Sequence, residues 1–347
     1  MKVKRTNIVE KMSQYRTELM GISIIWVMLF HSGIVAPNFK VFRIIWYLTV
    51  SFGGGIGVNI FFILSGFGLM CSWIKKNKNA KKESVLEFYK RRFKRILPAY
   101  IIVSGIYYAL TFTNFGSFIC NIVGLNFFVD GVRTFWYIYA ILICYLFFPV
   151  YIKLQKKIGI YNSVTMTYVI IFVLVLFISC MFPIWYGKIE IMLWRFPYFL
   201  FGCFLGNMLE QKGNKGYILV LGGTTLIAVI LYVMLYKSMS IQASVVERNL
   251  FGALSFWALL VFITVLTLIN KFADYINRFL RYFGKRSLEI YLIHVSFGIL
   301  ILESISLNRY LLLTLYFVVS VILSEILYRV INLSVFVKVW KRINFKE

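Results

Sequence analysis

The chain is 347 residues long, 61% hydrophobic and 15% charged, with a mean hydropathy of +0.81. A water-soluble domain has nowhere to hide that much apolar surface, so a soluble enzyme is excluded. Lysine and arginine number 38 against 13 acidic residues, a net charge of +25, but no soluble basic module carries the excess, which excludes a nucleic-acid partner.

Stretches of about 20 apolar residues, each able to cross a ~30 Å hydrocarbon core as a helix, recur along the sequence. They fall at 19–37, 55–74, 96–114, 134–152, 163–184, 189–209, 216–236, 250–270, 287–306 and 310–333. Ten spans predict an all-α, polytopic integral membrane protein. The residues before the first span hold Lys2, Lys4, Arg5, Lys11 and Arg16, like the start of a signal peptide. The apolar run that follows is too long and Ala36-Pro37 is a poor cleavage site, so this is read as a retained first helix. Residues 41–50 are too short and broken to span, and are read as an interfacial or re-entrant piece. Between spans 2 and 3, residues 75–95 form the longest polar stretch, whereas the loops at 115–133, 185–188 and 237–249 are short.

Of the 38 basic residues, 29 fall in the N-terminal tail, the even-numbered loops and the C-terminal tail, and 7 in the odd-numbered loops. Basic loops stay cytoplasmic, which predicts that both termini are inside. No linker, internal repeat or appended soluble module is visible, so residues 1–347 are read as a single transmembrane domain. Cys71, Cys120, Cys144, Cys180 and Cys203 stand singly with no CxxC pair. With two histidines in the whole chain, neither a disulfide framework nor a metal site is expected.

One of those histidines, His31, lies inside the first span. An ionisable ring in so apolar a stretch is costly to place and is a functional candidate by default. It stands 12 residues beyond Leu19, ~18 Å along a helix and just past the middle of the hydrocarbon core. A neutral imidazole there suits removal of a proton from a poor hydroxyl nucleophile near pH 7. The residue alone also fits an imidazole packed against a neighbouring helix, with Ser32 and Gly33 permitting close approach.

Several segments carry a resemblance. Gly55-Ile-Gly-Val-Asn-Ile-Phe-Phe-Ile-Leu-Ser65-Gly66-Phe67 resembles the "GvdiFFvLSGF" element of the membrane-bound acyltransferase 3 family. Phe88-Tyr-Lys-Arg91-Arg92-Phe-Lys-Arg95-Ile-Leu-Pro98-Ala-Tyr100 is similar to that family's "RRxxRixPxy" run. Phe135-Trp136-Tyr137 leading to Tyr145-Leu-Phe-Phe-Pro149, then Arg195-Phe-Pro-Tyr-Phe-Leu-Phe-Gly202, then Gly284-Lys-Arg-Ser287-Leu-Glu-Ile-Tyr291-Leu-Ile-His294 follow in the family's order. The resemblance implies a bacterial multi-pass enzyme of the cell membrane. Such an enzyme moves an acyl group, most often acetyl, from cytoplasmic acyl-CoA to a hydroxyl of a cell-surface or lipid-linked polysaccharide. Acetyl-CoA is then a donor substrate, no cofactor is bound permanently, and membrane lipids and a glycan acceptor are the partners. With no esterase-like domain after the last span, a separate extracytoplasmic protein is a further partner if the acyl group is relayed.

His31 matches the histidine of the family's R-x10-H element. Met20 stands where the family usually has arginine, and Asn59 where it usually has aspartate. Eleven residues turn through about 1100° and rise ~16 Å, so the usual arginine shares a face with the histidine. Arg16, one turn below Met20, lies on roughly that face, and its long side chain can reach into the same groove. It is read either as the displaced cation or as one more flanking charge.

Arg91, Arg92 and Arg95 cluster if the third helix begins early. Guanidinium forks suit coenzyme A phosphates, and anionic lipid headgroups would satisfy the same charges. Arg195, inside the sixth span, is a candidate for holding a thioester oxygen or an acceptor anion, or for pairing with Glu190. Arg133 and Trp136 form either an acceptor-binding rim or part of the interfacial belt. Ser65 and Asn59 are read as structural-motif residues, Ser65-Gly66 fitting tight helix packing better than a nucleophile. Tyr291 belongs to the same class, and His294 is read as a structural hydrogen-bonder between helices rather than as a second base. A lipid-linked glycan transporter or flippase, and a non-catalytic assembly partner, are the alternative functions.

Overall fold

The computed structural model describes residues 8–32, 40–78, 83–111, 114–211, 242–305 and 308–333, and the described residues form helices without strands. In chain order these are α1 (Ile8–Gln14), α2 (Arg16–His31), α3 (Lys40–Asn77), α4 (Val85–Leu110), α5 (Phe115–Ile122), α6 (Leu125–Asp130), α7 (Trp136–Ile158) and α8 (Ile160–Met181). There follow α9 (Pro183–Leu193), α10 (Phe196–Gln211), α11 (Gln242–Phe272), α12 (Asp274–Lys285) and α13 (Ser287–Ile293). A π-helical turn (His294–Gly298) leads to α14 (Ile299–Ser304) and α15 (Arg309–Asn332). Among the described residues five segments are long and apolar enough to cross a membrane: Gly55–Asn77, Trp136–Ile158, Ile160–Met181, Pro183–Leu209 and Arg309–Asn332. The protein is therefore an all-α, polytopic membrane protein. The span expected at 216–236 lies outside the described residues.

Three expectations are corrected in detail. Residues 41–50 are not a separate interfacial or re-entrant piece but the first part of the 38-residue helix α3. No proline interrupts them, and a helix already nucleated adds a hydrogen bond with each further residue. The span at 189–209 is two helices, with Trp194 and Arg195 at the joint. Pro197, in the first turn of α10, has no N–H with which to continue the helix from α9. The third helix begins at Val85, where Ser84 accepts from the Glu87 N–H at 3.1 Å and donates its own N–H to Glu87 Oε2 at 2.9 Å. This capping box starts the helix eleven residues before the apolar run.

α3 packs against α2, α10 and α11. Its approach to α10 is set by glycine: a Cβ at Gly66 would collide with the Phe199 carbonyl, and one at Gly202 with the Ile63 carbonyl. Lipid supplies no hydrophobic drive between helices, so such close backbone contact is what holds membrane helices together. α2 meets α12 in the same way, through Gly21 and Gly284. The buried Glu18 of α2 accepts from Arg281 Nη2 at 2.6 Å and Nε at 2.9 Å. That bond holds the Arg281 guanidinium above its ordinary pKa, pinning the rotation of α2 about its own axis. α8 and α15 present apolar side chains outward, among them Val169, Val173, Phe177, Val318 and Ile322.

Candidate active site

α2 enters the bundle antiparallel to α3. Arg16 Nε donates to the Leu64 carbonyl at 3.0 Å, and the Arg16 guanidinium lies where a Cβ at Gly68 would be. Eleven residues further along α2, Val27 packs on Gly57 of α3. Between these two levels lies a cavity of about 60 Å³ lined by Met20, Val27, Val58, Phe61, Ser65, Tyr137, Ser287, Leu288 and Tyr291. It has room for a few water molecules. Met20, the residue standing in for the usual arginine, is thus a wall of this space. The groove face of α2 reads Arg16, Met20, Val27, His31, a spacing that keeps one side of a helix turned inward.

On the Arg16 side of this space cations gather. The Tyr145 hydroxyl of α7 is within electrostatic reach of Arg92, Arg16 and Arg95. Arg92 sits over the rings of Phe88 and Tyr145, 5.8 Å from each centroid, and its buried Nε has no hydrogen-bond partner. Arg95 makes a forked contact with the fully buried Glu289 of α13, at 2.6 and 3.3 Å. Arg91 does not join them. It pairs with Glu83 at 2.7 Å, which also holds Lys76 at 3.0 Å.

Beyond the lining residues Val27 and Tyr291 the two histidines meet. The His31 and His294 ring centroids are 5.3 Å apart. His31 Nδ1 donates to the Val27 carbonyl at 3.0 Å, and His294 Nδ1 to the Ile290 carbonyl at 2.8 Å. A carbonyl oxygen can only accept, so both rings carry the proton on Nδ1 and present Nε2 as a lone pair. His294 is therefore not the interhelical hydrogen-bonder expected from sequence: its Nδ1 bonds within its own helix and its buried Nε2 has no hydrogen-bond partner. Tyr291 lies 5.7 Å from His294 and 4.9 Å from Tyr137, between centroids. Tyr137 is bonded in turn to Ser65. Aromatic and hydroxyl groups thus line the way between the cations and the histidines.

The remaining predicted residues form a separate set. Arg195, 3% exposed, bonds to Asn59 Oδ1 and stands over the Trp136 ring at 5.5 Å. Asn59 Nδ2 donates to the buried Ser255 Oγ at 2.8 Å. Arg133 points away from Trp136, donating to the Gly187 carbonyl at 2.8 Å and lying 4.0 Å from Glu190. Sequence reasoning passed over Tyr137, Glu289 and the pairing of the two histidines. The one available signal was that Glu289, Tyr291 and His294 crowd ionisable groups into the eight residues after Gly284-Lys-Arg.

The family model for an acyltransferase domain matches residues 19–329. The chain belongs to the acyltransferase 3 family. A segment of 72 residues is 38% identical to the O-acetyltransferase OatA of Staphylococcus aureus, in strains NCTC 8325, COL and MRSA252 alike. That segment is 20% of this chain, which thus covers 12% of the length of these curated relatives. No solved structure matches. The family and the apolar helices together make this a multi-pass membrane protein with an acyltransferase-family domain.

Proposed function

We propose that this acyltransferase moves an acetyl group from cytoplasmic acetyl-CoA to a hydroxyl of a cell-surface or lipid-linked polysaccharide in the bacterial plasma membrane. The observation that carries the reading is the single inward face of α2, which bears Arg16, then the cavity-lining Met20 and Val27, then His31. In this reading Arg92, Arg95 and Arg16 receive the phosphates of the donor, since guanidinium groups bind phosphate oxygens in charge-assisted forks. Both termini face the cytoplasm, as the basic loops indicate. The thioester then extends along the cavity, whose size suits a two-carbon acyl group better than a long chain. His31 Nε2 removes the proton from the acceptor hydroxyl as its oxygen attacks the thioester carbonyl, and the departing thiolate of coenzyme A takes a proton in return.

Arg195 and Trp136 lie beside this path as a second cation-and-ring site, fit for an acceptor's oxygen atoms. Arg133 is assigned to the outer rim of the same region. The test uses membranes containing the full chain, incubated with acetyl-CoA labelled in the acetyl group. Label enters a glycan fraction with the wild-type protein and is lost with His31→Ala. Glycan flux across the membrane that survives His31→Ala, without label transfer by either protein, would instead identify a transporter or flippase.

A further inference from the structure

The chain has two histidines, contributed by helices far apart in sequence, and the fold brings their rings to a centroid separation of 5.3 Å. Chance burial does not explain the arrangement. His294 is fully buried, its Nδ1–H is committed to Ile290, and its Nε2 has no hydrogen-bond partner. A buried acceptor left without a donor costs stability, and calls for a role that repays it. The chain also departs from regular helix at this residue, because a π-helical turn begins at His294. Such turns are rare and favour functional sites.

We propose that His294 shares the proton that His31 takes up, making the two imidazoles a proton-holding pair; this rests on the reading of His31 as the general base. The separation allows facing ring nitrogens to reach hydrogen-bonding distance. When His31 Nε2 takes the hydroxyl proton, it becomes an N–H donor with a neutral acceptor beside it. His294 Nε2 accepts that hydrogen bond, and the positive charge spreads over two rings. As the thioester C–S bond breaks, the thiolate sulfur takes one proton from the pair and both rings return to neutrality. Two full positive charges at this distance are disfavoured, so the pair takes up one proton and not two.

Among the described residues, the titratable side chains around the pair are phenols. Tyr291 lies on the helix before His294, and Tyr137 of α7 lies against Tyr291. Tyr316 of α15 donates to the Met28 carbonyl at 3.2 Å, and Tyr107 of α4 packs on Phe297. A phenol oxygen is a far weaker base than an imidazole nitrogen, which leaves the second imidazole as the group able to take the charge. His294 acts through His31 and is in this sense a positioning residue.

With two histidines in the chain, ring-labelled protein gives imidazole nitrogen resonances that single substitutions assign. The full chain in detergent or nanodiscs, without substrate, is titrated as wild type, His294→Phe and His294→Gln. Loss of the neighbouring acceptor moves the His31 midpoint to lower pH by ~1 unit in His294→Phe. The glutamine variant, whose amide oxygen still accepts, shows a smaller displacement. In the transfer assay kcat falls ~10- to 100-fold in His294→Phe, with the donor KM unchanged and the acid limb of the pH profile moved in the same direction. A His31 midpoint that stays in place in both variants overturns the inference. So does a loss of transfer accompanied by a higher donor KM and an unmoved acid limb, which would mark His294 as structural. Because the titration needs no substrate, failure of the wild-type protein to transfer acetyl would reject the proposed function separately.

Discussion

The two ends of the α2 groove face are built on opposite principles. At the basic end, Arg95 has Glu289, Arg16 has the Leu64 carbonyl and Arg92 has two aromatic faces. At the histidine end there are two neutral rings, each bonded only to its own helix, with Nε2 of His294 unanswered. One end is made to keep charge, through partners that remain in place whether or not a ligand arrives. In the proposed reading the other receives a proton, because a group already satisfied has little to gain by accepting one. The comparison teaches that an apolar bundle can hold permanent and transient charge within one helix length, provided the permanent charges are the ones given partners.

The largest expected effect is at the histidine end. His31→Ala lowers kcat for acetyl transfer by ~10²- to 10⁴-fold, the range for loss of a general base, while donor binding measured by displacement of a labelled CoA analogue is unchanged. If donor affinity fell with kcat, the division of labour between the two ends would be wrong. Next comes the basic end. Arg92→Ala and Arg16→Ala each raise the donor KM by ~10- to 100-fold, the loss of one charge-assisted contact of about 1.5–3 kcal/mol, with a smaller change in kcat. The comparison is sharpened by adding Met20→Arg to Arg16→Ala, since that cation would enter the same groove face one turn higher. Recovery of the donor KM to within ~3-fold of wild type is expected, and no recovery would show that Arg16 is an ordinary flanking charge. The smallest effect is at Arg133, half-exposed beside Glu190 and part of neither end. Arg133→Ala changes donor KM by less than ~3-fold, as is usual for exposed ion pairs, and any larger effect would extend the basic site to that rim.

Most of the fold was legible in the sequence because membrane crossing is a one-dimensional demand. Each span must be apolar along its length, so windows such as 163–184 and 310–333 match α8 and α15 to within a few residues. Interruptions were harder to read. Pro197 broke a span, whereas Pro98 was carried inside α4; the difference depends on what surrounds the freed carbonyl, which lies on other helices. The π-helical turn at His294 has no signature in Tyr291-Leu-Ile-His294 for the same reason. In the site, the groove face of α2 followed from helical periodicity alone, and Arg16 lies on it beside Gly68. The choice among Arg91, Arg92 and Arg95 did not follow, because three neighbouring guanidinium groups look alike until Glu83 and Glu289 are placed.

By itself the sequence determined that the chain lives in a membrane as a bundle of helices, and that an ionisable His31 falls in the first apolar stretch. Apolar length and the high cost of an ionisable group in hydrocarbon are properties of single segments. Tertiary structure alone decided that the second histidine lies against the first and that Glu289 takes Arg95. It also decided that Asn59 joins Arg195 to Ser255. Those are contacts between side chains separated by more than a hundred residues, and no local propensity encodes which helix will be the neighbour.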